Sequence, residues 1–298
     1  MLWSAGYRDV GLLDVHTGTR FALSVFYPSG AREQPESLGR YRFEVALNAR
    51  PAAGEFALVV ISHGGGGTPL VYRTLARHLA RNGFVVGLPT HPFNNVRDNS
   101  WQGKLENLRA RPALVHGVLD WFFADPEFGP LLKPGVAAVV GHSMGGYTAL
   151  AAAGGVATAL AHEPADGNAR EVGLEPDPRI TALVLLAPAT VWFSGEDALR
   201  RVNLPVLMLS AERDELTPAP HAQIVVERLP DKAKLQHRVV PNAGHFSFLA
   251  PFPEVLTKPS FPPSQDPPGF DRVAFLEELN LEVTAFLRQA LQEKAAEP

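Results

Sequence analysis

The 298-residue chain has no cysteine, which excludes a disulfide framework, a thiolate zinc site and a cysteine nucleophile. It has no apolar run of the roughly 18 residues that a membrane-spanning helix needs. Excess positive charge is also missing. The 27 basic and 31 acidic residues leave a net charge of -4, without the electrostatic footprint of a nucleic-acid partner. Residues 1–14 carry Arg8 and Asp9 and never reach the roughly 7–15-residue apolar stretch of a signal peptide, so a cytoplasmic protein is expected. What remains is ordinary for a chain that buries a large core: 46% hydrophobic and 19% charged residues. Proline (27) and glycine (26) are plentiful, and their positions matter below.

Short apolar runs alternate with longer amphipathic stretches, the pattern of a parallel sheet covered by helices. Strands are predicted at residues 21–27, 57–62, 84–88, 136–140, 180–186, 206–210 and 235–240. Residues 57–62 are apolar almost without interruption, as in a strand buried on both faces. Helices are predicted at 70–82, stopped by Asn82-Gly83, and at 104–123, which Pro112 is expected to kink or restart. Further helices are predicted at 145–153, 221–229 and 273–291. Two segments break the rhythm: 154–179 is polar, and 251–269 holds seven prolines with Phe252 and Phe261. Both read as insertions over one face of a single domain spanning 1–298, the second as a semi-rigid lid.

The sharpest motif is Gly141-His142-Ser143-Met144-Gly145, placed where the strand at 136–140 meets the helix at 145–153. A serine on so tight a turn needs glycines two residues to either side, because larger side chains would strike the backbone. The plainer alternative is a serine that caps the helix. A serine nucleophile requires a base, and the base an orienting acid, in the chain order Ser, acid, His. Glu212, Asp214 and Glu215 follow the strand at 206–210; Asp214 is favoured, with an N-cap before Pro218 as its alternative role. His245 follows Gly244 in the loop after the last strand, within reach of the sheet's end.

An oxyanion needs preformed N–H donors. Ser62-His63-Gly64-Gly65-Gly66-Gly67 follows the strand at 57–62, and the amides of Gly65 and Met144 are the candidate donors. The string is neither a phosphate loop, lacking Gly-Lys-Ser/Thr, nor a Gly-x-Gly-x-x-Gly dinucleotide fingerprint. His63 and His142 read as packing and loop-bonding residues, and His91 as a candidate pocket residue. A metal on His63, His91 and His142 lacks a carboxylate at suitable spacing, so no metal is expected. Trp192, Phe193, Phe246 and Phe248 follow strand ends and are candidate substrate contacts, with core packing as the alternative.

Together with Leu79-Ala80-Arg81-Asn82-Gly83-Phe84-Val85-Val86 and Pro89-Thr90-His91-Pro92, these motifs resemble the α/β-hydrolase superfamily over about residues 21–291. More narrowly, the chain is similar to dienelactone-hydrolase-like proteins and to bacterial relatives of platelet-activating-factor acetylhydrolase. The resemblance implies an α/β-hydrolase fold, a mostly parallel doubly wound sheet flanked by helices, with Ser143 as nucleophile and His245 as base. True dienelactone hydrolases use cysteine, which is absent here. The acetylhydrolase branch places its acid after the sixth strand, where this chain reads Leu186-Ala187-Pro188-Ala189-Thr190. The acid is therefore expected at Asp214, the commoner position in the superfamily. The expectation is a cofactor-free serine hydrolase of a small-molecule carboxylic ester, working through an acyl-enzyme as monomer or homodimer. Amidase, thioesterase or perhydrolase chemistry and a silent hydrolase-fold binding protein are the alternatives.

Overall fold

In β5 (Phe56–Ser62) successive side chains enter opposite cores: Leu58 and Val60 one, Val59 and Ile61 the other. A strand covered on both faces has no polar side, which is why its sequence shows no alternation. The computed structural model describes residues 3–293; Met1 and Leu2, at the head of the 1–14 segment, and residues 294–298 lie outside the described residues. Before β5 come β1 (Ser4–Asp14), β2 (Thr19–Ser29), β3 (Gln34–Leu38) and β4 (Tyr41–Leu47). After it come α1 (Arg73–Arg81), β6 (Phe84–Pro89), α2 (Leu105–Ala124), β7 (Leu132–His142) and α3 (Met144–Ala152). The short β8 (Ala157–Thr158) and β9 (Glu171–Val172) precede β10 (Ile180–Leu186), β11 (Val206–Ala211), α4 (Ala219–Arg228), β12 (Leu235–Val240) and α5 (Arg272–Glu293).

Ten strands form one sheet in the order β12-β11-β10-β7-β5-β6-β2-β1-β4-β3. From β12 to β6 every pairing is parallel, and β2 adds to β6 antiparallel, followed by β1 in a continuous register from Ser4↔Ser29 to Asp14↔Thr19. Helices α2, α3 and α4 pack on one face, α1 and α5 on the other. The chain leaves β5 through α1 for β6, then returns through α2 to β7 on β5's opposite side. That reversal makes the carboxyl ends of β5 and β7 the switch point of the sheet, the place where sheets of this kind bind ligands. The glycine loop and Ser143 follow those two strands.

Two expectations need correction. Pro112 does not restart its helix, since α2 runs unbroken from Leu105 to Ala124. Proline cannot donate to the carbonyl four residues back, that of Leu108. The Tyr147 hydroxyl donates to it instead, at 3.0 Å, so the helix continues with no orphaned acceptor. Secondly, the sheet begins well before residue 21, because β1 pairs with β2 along its whole length.

The 154–179 segment forms the β8–β9 ribbon, and its buried Glu163 accepts from the Trp192 Nε1–H (2.9 Å) and the Leu160 N–H (2.7 Å). The proline-rich 251–269 segment is staked at its far end. Arg272 donates to both Asp266 oxygens (2.8 and 3.0 Å), and Ser247 donates to Asp266 Oδ1 at 2.9 Å. Ser247 lies two residues beyond His245, so this segment braces the loop that carries the histidine.

Candidate active site

Ser143 sits at φ 56° and ψ −121°, between the last residue of β7 and the first of α3. Such a conformation costs a non-glycine residue about 1–3 kcal/mol and persists only where the surroundings enforce it. Here the Ser143 N–H donates to the Leu186 carbonyl (3.0 Å), while its own carbonyl accepts from Gly146 (2.8 Å) and Ala189 (2.9 Å). The flanking glycines are a steric requirement. A Cβ on Gly141 would lie 2.0 Å from the Gly145 carbonyl oxygen, and one on Gly145 only 1.9 Å from that of Ser62. The turn leaves the serine partly exposed, and among the described residues its hydroxyl has no hydrogen-bond partner.

Asp214 and His245 meet in the loops that follow β11 and β12. The His245 Nδ1–H donates to Asp214 Oδ2 at 2.8 Å, with Oδ1 at 3.0 Å. Oδ1 also accepts the N–H groups of Leu216 (2.9 Å) and Thr217 (2.7 Å), and the Thr217 hydroxyl lies 2.8 Å from Oδ2. Burial by itself would raise the Asp214 pKa. The hydrogen bond and charge of His245, with the Thr217 donors, outweigh it and hold the carboxyl at about 2. Glu212 and Glu215 are exposed, and Glu212 accepts the Asn242 N–H (2.7 Å) instead. Asp214 thus holds the histidine and orders the turn before α4, but it does not cap that helix: the N-cap is Pro218, with no side-chain hydrogen bond to the first turn.

A directional chain links the histidine loop to the glycine loop. A carbonyl only accepts, so His142 Nε2–H donates to the His245 carbonyl at 2.9 Å. Burial, reinforced by the neighbouring His245, pulls the His142 pKa down to about 3 and keeps it neutral, so its Nδ1 is an acceptor. The Tyr72 hydroxyl therefore donates to that Nδ1 (2.9 Å), and its oxygen accepts the Gly64 N–H (3.3 Å). Tyr72→Phe leaves both partners buried and unpaired. The expected loss of stability is about 2 kcal/mol, read from urea unfolding; an unchanged midpoint would contradict the chain.

The Gly64 carbonyl accepts from His63 Nδ1–H (2.7 Å) and from Gly67 N–H (3.1 Å), so the Gly64–Gly65 peptide is anchored by its oxygen. Among the described residues the Gly65 N–H has no acceptor. Met144 begins α3, where an N–H has no intrahelical partner. A Cβ built on Gly64 would lie 3.3 Å from Ser143 Cβ, and one on Gly65 3.8 Å from Met144 Cβ, so the loop and the elbow are in contact.

Of the proposed substrate contacts, Phe246 and Trp192 are half-buried. Phe246 stands edge-on to His245 with ring centres 5.1 Å apart, and Trp192 edge-on to Tyr147 at 4.9 Å. Phe193, Phe248 and His91 are core groups instead, exposed by 0%, 3% and 1%. Phe193 stacks on Tyr147, Phe248 packs on Phe275, and His91 Nε2 bonds Ser62 Oγ at 2.8 Å. Residues just past strand ends turn inward as readily as outward, which sequence position alone does not distinguish. Among the described residues no three His, Asp or Glu side chains converge to hold a metal. The reading from sequence missed Tyr72, Arg111 and Thr217. For Thr217 a signal was present, since Asp-x-x-Thr before a helix is a side-chain-capped turn.

Three buried histidines make the site acid-sensitive. Burial and the charge of Arg111 bring His63 to about 3 and His91 well below the ordinary value, and His142 is at about 3. As pH falls below 6.5 the unfolded chain binds protons at these positions while the folded chain does not, for His63 and His142 down to about pH 3. Stability is therefore complete above the unfolded value and is lost on acidification, by about 1.4 kcal/mol per pH unit for each histidine. Urea midpoints should fall steeply between pH 7 and pH 5; a flat profile would refute neutral burial.

A mostly parallel sheet with Ser143 on a strained strand-to-helix turn, and Asp214 and His245 beyond its last two strands, defines an α/β-hydrolase fold. The family model for the dienelactone hydrolase family matches residues 44–262, and the chain belongs to that family. It is accordingly a carboxylic ester hydrolase. Among solved structures it is similar to a ferulic acid esterase from Streptomyces cinnamoneus, with a TM-score of 0.69 at 17% identity, covering 98% of this chain and 91% of that one. This likeness is one of fold. No curated protein matches in sequence. Among the described residues no helix is long and apolar enough to cross a membrane.

Proposed function

We propose that the chain cleaves its ester through an acyl-enzyme on Ser143, with His245 as general base and Asp214 as its orienting acid. The reading rests on one conjunction: a strained, partly exposed serine beside two amide N–H groups, those of Gly65 and Met144, that no acceptor among the described residues engages. Ser143 Oγ attacks the acyl carbon while its proton passes to His245 Nε2, and the carbonyl π pair moves onto oxygen, facing Gly65 and Met144. The imidazolium returns the proton to the departing alkoxide, and water repeats the sequence to release the acid. The link between Ser143 Oγ and His245 Nε2 is the one substrate binding has to close, as resting sites of this kind often leave it long. The 154–179 and 251–269 segments belong to this same catalytic domain, and Phe246 and Trp192 flank the substrate.

The test is a panel of p-nitrophenyl esters of increasing acyl length, methyl ferulate in view of the esterase neighbour, and a matching anilide and thioester. A burst of p-nitrophenol before steady turnover, with fluorophosphonate label mapped to Ser143, is the expected result. Ester turnover with no label on Ser143 refutes the assignment. Faster cleavage of the anilide or thioester moves the reaction class but leaves the triad standing.

A further inference from the structure

Arg111, on α2, is the largest side chain in the fully buried set, only 1% exposed, and it lies beneath the site. Its Nε–H donates to Thr148 Oγ1 at 2.8 Å, Nη1 to Asn94 Oδ1 at 2.7 Å, and Nη2 to Ser62 Oγ at 3.3 Å and to the His63 carbonyl. No carboxylate lies within ion-pairing distance of it among the described residues. The groups that do surround it are neutral. Burial holds His63 and His91 unprotonated, and raises the Tyr72 and Tyr147 hydroxyls.

An unpaired cation is expensive to bury, and a methionine of similar length would fill the space without that cost. The placement of its hydrogen bonds says what the charge gives in return. The His63 carbonyl lies on the peptide that leads into Gly64, whose N–H is held by Tyr72, so that peptide is gripped at both ends. On the other side the Thr148 hydroxyl, which accepts from Arg111, donates to the Met144 carbonyl at 2.9 Å. Asn94, the third partner, stands against Gly65, its side-chain amide 4.0 Å from where a Gly65 Cβ would be. One guanidinium therefore reaches both backbone segments whose amides are proposed to hold the oxyanion.

We propose that Arg111 is the positioning residue of the oxyanion hole and the fixed positive charge behind it. It sets the spacing of the Gly65 and Met144 amides and biases the local field toward the negative charge that arrives on the substrate oxygen. Its neutral surroundings leave that field uncancelled. This rests on the serine-hydrolase reading above, and the effect is on the tetrahedral intermediate rather than on the bound ester.

The test compares full-length wild type, Arg111→Met and Arg111→Lys. Three quantities are read: kcat and KM on a p-nitrophenyl ester, inhibition by a trifluoromethyl ketone, and fluorophosphonate labelling. The ketone forms an anionic hemiketal on Ser143, so its affinity reports oxyanion stabilisation. Arg111→Met is expected to lower kcat about 100-fold and weaken the ketone by a similar factor, with KM changed less than about threefold. Arg111→Lys, which keeps the charge, is expected to remain within about tenfold of wild type in both. Equal losses in the two variants, or a ketone affinity in Arg111→Met that falls no more than ground-state binding, overturn the proposal. If Arg111→Met does not fold, Arg111→Lys decides alone, and a loss well beyond tenfold in a folded protein overturns it. Wild type that is not labelled on Ser143 refutes the triad, and this proposal with it. Labelled wild type with an unaffected Arg111→Met refutes this proposal only.

Discussion

Ser143→Ala is expected to reduce ester turnover by at least about 10⁴-fold and to abolish fluorophosphonate labelling, with little loss of stability. The two halves of that expectation have separate origins. The hydroxyl has no hydrogen-bond partner among the described residues, so its removal leaves no buried donor or acceptor unpaired. The backbone bonds that impose φ 56° run through the N–H and carbonyl of residue 143, and alanine keeps both. The turn should therefore survive, with Gly65 and Met144 still presenting their amides. The residual activity then measures what the oxyanion donors and substrate positioning achieve without a nucleophile. A variant that retains more than a few per cent of turnover with an unchanged unfolding midpoint would remove Ser143 from the mechanism. A variant that loses activity only because it unfolds would show a shifted midpoint, so the two cases separate.

The parts of this molecule legible from sequence are those where one physical requirement dominates. β5 and β10 lie between two cores, so their apolar runs are unbroken and their positions follow directly. Gly141 and Gly145 are dictated by contacts with backbone atoms at about van der Waals collapse, and such glycines cannot be anything else. β1 and β3 were missed because they lie toward the outer end of the sheet, where half-exposed polar residues and Gly11 blur the alternation. In β4, Tyr41, Phe43 and Val45 alternate with exposed Arg42 and Glu44, a half-buried pattern unlike the unbroken apolar runs that mark the central strands. The unbroken α2 was illegible for a different reason. The group that relieves Pro112, the Tyr147 hydroxyl, lies 39 residues along the chain from the Leu108 carbonyl it bonds. Arg111 shares that difficulty: beside exposed Arg109 on the same helix nothing in the local sequence marks it as buried, and its partners come from β5, α3 and the loop after β6. That Ser143 lies on a strand-to-helix turn and that Asp214 and His245 follow strand ends was readable, because strand positions suffice for it. The residues that fix their geometry depend on tertiary contacts.

Asp214→Asn is expected to lower kcat about 10⁴-fold near neutral pH with KM little changed, and the hydrogen bonds around residue 214 say why. Oδ1 accepts two backbone N–H groups, from Leu216 and Thr217, and those donors cannot turn away without undoing the loop before α4. In asparagine the amide oxygen must take that position, which leaves the NH₂ group at the site of Oδ2, 2.8 Å from His245 Nδ1. Two donors cannot face each other, so His245 gives up its Nδ1 proton and carries it on Nε2 instead. That tautomer has no lone pair toward Ser143 and cannot accept its proton. The fold should persist, since Asn keeps the turn. Nitrogen-15 NMR of the imidazole should report the proton on Nδ1 in the wild type and on Nε2 in the variant. Glu212→Gln is the internal control. Its side chain is exposed and accepts from Asn242, an interaction glutamine can keep, so activity should stay within about threefold of wild type. A drop of less than about tenfold in Asp214→Asn, or a larger one in Glu212→Gln, would place the orienting acid elsewhere than the residue that the His245 hydrogen bond selects.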